Sequence, residues 1–238
     1  METTKPSLPG VAVLFKEAWA LYQEKFWLLI GVTAIPSLLT LLAGVAAAAF
    51  SLSMEDFPTG GMLIAAIIGV IILIVVSIWS EAALLTVVVN HSHKFTDAFM
   101  QARLFIIPLF LAGLLCGIIT LGGTILLIVP GIIFATWFSL YSFALIDKNL
   151  KPVEALKTSK RYVVGRTSKV LWKWIVPGIV YVVIAILLNA ILSMFGLDKD
   201  MASSLGGAIL GVLVAPLWAL YGFRLYSYAK EDSHPASV

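Results

Sequence analysis

The side chains able to do chemistry in this chain are few and scattered. Glu81 is the only acidic residue well inside a long apolar run, and ionisable groups in such places are functional sites by default. Its depth favours a simpler role. At 1.5 Å per residue Glu81 lies about 30 Å along a helix starting at Gly61, near the membrane interface, where a cation on a surface helix would pair with it. A proton or substrate site is the alternative. Asn189 and Ser193 stand in another apolar run. They are expected to make interhelical hydrogen bonds of about 0.6–2 kcal/mol, with substrate ligation as the alternative. His91-Ser92-His93 makes no metal site, because on a helix the two rings diverge by about 200° and no cysteine is near. The chain has no HExxH, GxSxG or Walker-type loop. No metal, cofactor or enzymatic reaction is expected.

Cations are the other chemical resource. Residues 147–173 hold eight of the sixteen Lys and Arg, and this stretch is +6 in a chain of net charge +3. Lys157, Lys160, Arg161 and Arg166 are the candidates for contact with anionic lipid headgroups, each such cation contributing about 1 kcal/mol near a charged surface. Trp172, Trp174 and Tyr162 would sit at the same interface. Nucleic acid is not an expected partner for so short a loop beside a bilayer.

The elements that must position these groups are membrane helices. At 61% hydrophobic and 12% charged, the chain is far from soluble-domain composition. Runs of about 20 apolar residues match a ~30 Å hydrocarbon core. Six spans are expected, at about 26–50, 61–90, 104–121, 124–146, 170–195 and 205–228, forming one integral membrane domain over 1–238. A tight turn around Gly122-Gly123 separates the third from the fourth. Fifteen of the sixteen cations then fall on one side, with Lys199 alone on the other. By the positive-inside rule both termini are cytoplasmic. The long first apolar run and its 25-residue charged lead are not those of a cleaved signal peptide.

Each outward-going span is preceded by a short amphipathic segment: Phe15-Lys16-Glu17-Ala18-Trp19, Phe95-Thr96-Asp97-Ala98-Phe99 and Pro152-Val153-Glu154-Ala155-Leu156. In the third, Leu156, Val163 and Val164 share a face opposite Glu154, Lys157 and Arg161. Pro152 suits a helix start and Gly165 a stop. The regular placement predicts a threefold repeat of surface helix, outward span and return span. Pro36, Pro108, Pro130, Pro177 and Pro216 mark every span but the second and are candidate kinks. Gly113-x-x-x-Gly117 and Gly207-x-x-x-Gly211 permit close helix approach, chiefly within the chain.

The carboxyl half carries a family resemblance. Pro130-Gly131 opens the fourth span, Asp147 closes it, and Ala155-x-x-x-Ser159 follows in a helix stopped by Gly165. This pattern resembles prokaryotic six-span proteins grouped around the membrane domain of glycerophosphoryl diester phosphodiesterases. It is best over 104–180 and weaker over Leu14–Pro36. The resemblance implies a six-helix membrane module. The phosphodiesterases proper add a soluble catalytic barrel, for which 238 residues leave no room. Many relatives also carry an arginine where this chain reads Phe134-Ala135-Thr136-Trp137-Phe138. Phosphodiesterase activity is therefore not expected.

Taken together, the expectation is an all-α polytopic protein with six transmembrane helices and three cytoplasmic amphipathic helices. Its expected role is a non-enzymatic module contacting membrane lipids or organising a protein partner that the sequence does not identify. A small transporter or channel with proline-kinked spans is the alternative. An oligomeric state is not specified.

Overall fold

The computed structural model describes residues 8–52, 60–90, 94–197 and 199–233, and every element among them is helical. His91 to His93 lie outside the described residues. A short helix, α1 (Val11–Glu24), leads into the antiparallel pair α2 (Phe26–Leu52) and α3 (Gly60–Val89). Then α4 (Phe95–Ala102) leads into α5 (Ile106–Leu126), α6 (Ile128–Phe138) and α7 (Tyr141–Lys148). Finally α8 (Pro152–Val163) leads into α9 (Thr167–Met194), α10 (Lys199–Leu213) and α11 (Ala215–Ser233).

Four of these segments are long and apolar enough to cross a membrane: Ile64–Val89, Ile106–Leu126, Ile128–Lys148 and Thr167–Met194. A fifth arises if α10 and α11, bent by 44°, count as one. The all-helical class expected from composition is therefore observed, with several helices that fit a membrane protein.

The core is not spread evenly along the helices. It gathers where α1, α4, α8 and the last turns of α3, α7 and α11 meet. Leu14, Ala18, Ala82–Val89, Leu140, Ala144, Leu145, Ala155, Leu225 and Ala229 are all buried there. Beyond this layer the helices expose apolar side chains, as lipid-facing surfaces do. The three short helices share a packing rule. Helix α4 packs on α3, α8 on α7, and α1 on α11, so each lies against a return helix and the last contact closes a ring.

Two sequence expectations are corrected here. The turn between α5 and α6 falls at Leu127, whose φ of −161° and ψ of 141° make a one-residue extended break. Gly122 and Gly123 are inside α5. Gly123 serves close approach instead: a Cβ there would stand 2.6 Å from a Phe134 ring carbon. The prolines also differ from one another. Pro36 and Pro177 are inside helices, whereas Pro108 and Pro130 lie in first turns and kink nothing.

Pro216 is the consequential one. It lacks the N–H that Val212 O would accept in a continuous helix, and α10 breaks from α11 beside it. Thr33 of α2, itself buried, brings its hydroxyl 3.0 Å from that carbonyl. The freed backbone group is satisfied by a bond from α2 to α10.

Candidate functional site

The fourth apolar segment is broken between α6 and α7 with no proline to cause it. Thr136 O is taken by the Ser139 backbone N–H at 3.3 Å and by the Ser139 hydroxyl at 2.9 Å. Leu140 N–H therefore needs another acceptor, and Trp137 O another donor. Ser159 of α8 supplies both. Its Oγ accepts from Leu140 N at 3.1 Å and donates to Trp137 O at 2.7 Å. Ser159 and, one turn earlier, Ala155 are completely buried. The small alanine admits α8 to the seam, and the serine stitches it.

Local sequence explains why α8 begins and ends where it does. Pro152 occupies its first turn after an extended Lys151. Glu154 in that turn, with Lys160 and Arg161 in the last, complements the helix dipole. Gly165 then takes φ +88°, a left-handed conformation that favours glycine. Leu156 and Val163 are buried as the periodicity predicts, but Val164 is 49% exposed because the helix has already ended at Val163.

At the end of α7 the chain reverses through Asn149, at φ 48°. This holds Asp147 toward α11, where its carboxylate accepts from Tyr226 Oη at 2.7 Å and Lys230 Nζ at 2.6 Å. Lys148 Nζ donates to Tyr162 Oη at 2.6 Å, and the Tyr162 and Tyr226 rings lie 5.8 Å apart. Asp147, Phe223, Tyr226, Ser227, Lys230 and Glu231 line an open recess of about 460 Å³. Arg166 is ion-paired with Asp232. Lys173, buried, donates to Pro9 O.

The basic stretch is thus divided in two. Lys148, Arg166 and Lys173 are engaged in tying elements together. Lys157, Lys160 and Arg161 remain exposed on the outer side of α8, as do Lys151 before it and Lys169 after it, with Lys160 Nζ 4.5 Å from the Trp137 ring centroid. Chemically this is an exposed cationic face with one lysine lying over an aromatic ring. Tyr226 and Lys230 escaped the sequence reading, although their i, i+4 spacing places them on one face of α11.

The two intramembrane candidates lie elsewhere. Glu81 stands where α3 passes from exposed to fully packed, in an apolar crevice of about 260 Å³ with Leu109, Phe110, Gly113 and Tyr141. The expected pairing with a basic residue is not found: among the described residues Glu81 makes no ion pair or hydrogen bond. It points toward α5 and α7, not toward a cationic surface helix. Asn189 and Ser193 do not bond between helices either. Asn189 donates to Ala185 O and Ser193 to Asn189 O, both in α9, because the facing α10 offers Gly206, against which the Asn189 amide packs flat. Of the two glycine pairs, Gly113 and Gly211 meet Tyr141 and Ser37 closely, while Gly117 and Gly207 face open space.

A carboxyl group in an apolar crevice without a partner costs stability. Glu81→Leu is accordingly expected to raise the melting temperature of the purified protein. An unchanged or lowered value would mean the carboxyl is satisfied in the folded state. Comparison with protein-family models, curated proteins and solved structures finds no match to this chain.

Proposed function

We propose that this chain is a non-enzymatic membrane module of three helix hairpins whose basic, cytoplasmic face holds anionic lipid headgroups. The observation that supports this best is the division of the basic stretch. Lys157, Lys160 and Arg161 stay exposed, as do Lys151 and Lys169, while Arg166 and Lys173 are engaged elsewhere. Trp27 and Trp172, both largely exposed, lie near the same end and suit the headgroup region. Both termini on that side follow from the fifteen-to-one distribution of cations.

In this reading the three units repeat. The support is the cyclic packing of α4 on α3, α8 on α7 and α1 on α11. The likeness to membrane domains accompanying glycerophosphoryl diester phosphodiesterases agrees with a lipid-associated role and brings no reaction with it. A second reading, a small transporter, rests on the Glu81 crevice. Loss of solute flux in Glu81→Gln, with folding intact, would favour it.

Near an anionic surface each cation contributes about 1 kcal/mol, so removing three should weaken headgroup preference by about 100-fold. The test is native mass spectrometry from nanodiscs mixing phosphatidylglycerol and phosphatidylcholine. The triple variant Lys157→Glu, Lys160→Glu, Arg161→Glu should lose phosphatidylglycerol enrichment, while Lys199→Glu on the opposite side keeps it. Equal enrichment in both variants would end the proposal.

A further inference from the structure

From the geometry we infer that the α5–α6 hairpin does not cross the bilayer but ends inside it, with its apolar tip among acyl chains of the outer leaflet. This inference takes its inner and outer sides from the proposed orientation but is independent of what the basic face binds. It rests first on relative length. Trp174 Nε1 donates to Ser139 Oγ at 3.2 Å, which sets residue 139 of the second unit level with residue 174 of the third. Tyr221 Oη donates to Lys173 O at 2.7 Å, bringing α11 to the same level. From there α9 continues 20 residues to Met194, about 30 Å of helix, a full hydrocarbon thickness. Helix α6 spans only 11 residues back to Ile128, about 16 Å.

The first unit gives the same answer. Leu29 and Val87 line one small cavity with Leu220, neighbour of Tyr221. Beyond that level α2 extends 23 residues to Leu52, about 34 Å. The α5–α6 pair is symmetric about Leu127, with Gly113 beside Tyr141 and Gly123 beside Gly131, so α5 has no extra length to contribute. The second hairpin stops about 14 Å short of the third.

Composition agrees independently. The third hairpin carries charge at its turn, where Lys199 and Asp200 open α10. The second reads Ile125-Leu126-Leu127-Ile128-Val129, five consecutive residues each 66–84% exposed. A turn in water or among headgroups has no reason to be so apolar. Backbone at membrane depth must be satisfied internally, and this turn keeps its irregular part to one residue. Leu127 N–H bonds Gly123 O at 3.0 Å, Leu127 O accepts from Gly131 N–H at 3.4 Å, and Pro130 removes a donor from the helix start. Since α5 packs beside α3 and α6 beside α9, the space beyond the tip is flanked by those longer helices. Residues of those helices beyond the level of the tip, such as Ile67, Ile71, Ile186 and Ile191, are exposed and apolar. Acyl chains fit there.

The test is depth measurement on the full chain in liposomes, in a Cys116→Ala background. Leu127→Cys and Ile128→Cys probe the tip, and Asp200→Cys is the water-exposed control. A membrane-impermeant maleimide added outside should label the tip at least about tenfold more slowly than Asp200→Cys, as protection within hydrocarbon requires. A bimane at the tip should be quenched more by nitroxide midway along the acyl chain than by nitroxide at the headgroup. Labelling as fast as the control, or stronger headgroup quenching, overturns the inference. Protection without quenching by either lipid also overturns it, because protein would then cover the tip. The two tip positions guard against one variant failing to fold.

Discussion

Gly131→Ala is expected to destabilise the protein by at least about 2 kcal/mol, in the range of overpacked interiors. A methyl at this position would collide with the Thr124 hydroxyl and stand 2.9 Å from Thr124 Cα. The first collision could be relieved by a rotamer change. The second is with backbone, and relief requires α5 and α6 to move apart. That separation would also open the contact between Gly123 and Phe134, so the cost is not confined to one atom. Gly122→Ala is the matched control. A Cβ there meets nothing within 4 Å, and alanine is the better helix former by roughly 0.5–1 kcal/mol. Unfolding of the two variants by SDS titration in mild detergent compares them directly. Equal stability would mean that the hairpin is held by something other than close backbone approach.

Ser159→Ala should be at least as damaging, by about 3 kcal/mol, through a different mechanism. It deletes one hydroxyl but strands two backbone groups, Leu140 N–H and Trp137 C=O, at a fully buried position. An unsatisfied buried polar group costs about 1–3 kcal/mol. Side-chain hydrogen bonds in membranes average less, because the unfolded state finds other partners. Here the deserted groups belong to a helix break at which Leu140 and Ser159 are fully buried. Ser193→Ala, which removes only an exposed bond within α9, should be silent. A loss below about 1 kcal/mol for Ser159→Ala would show that the α6–α7 break satisfies itself.

These two residues also show what could be read from the sequence and what could not. The membrane class was legible because apolar run length against bilayer thickness is a one-dimensional measure. Pro152, Gly165 and the buried side of α8 were legible because start, stop and periodicity are local. Ser159 was marked by resemblance alone. Its partners are backbone atoms 19 and 22 residues away, and no side-chain pattern encodes them. Gly123 was misread because glycine suits both a turn and a close approach, and only the neighbouring helix distinguishes them. Glu81 was misread for a related reason. Its depth could be counted, but the direction it faces depends on how α3 rotates against α5 and α7. The partners of Asp147, 79 and 83 residues away, were equally out of reach.

The closing of the ring by α1 on α11 has a consequence for how the protein is made. Leu14, Ala18 and Tyr22 are buried, and Glu17 accepts from Tyr228 at a separation of 211 residues. A ribosome adding 5–20 residues per second needs about 10–40 s to cover that distance. Throughout that interval α1 has an apolar face and no α11 to receive it. A bilayer surface is one apolar medium at hand, and the exposed Phe15 and Trp19 suit such a resting place. Assembly then ends by lifting the first helix made onto the last.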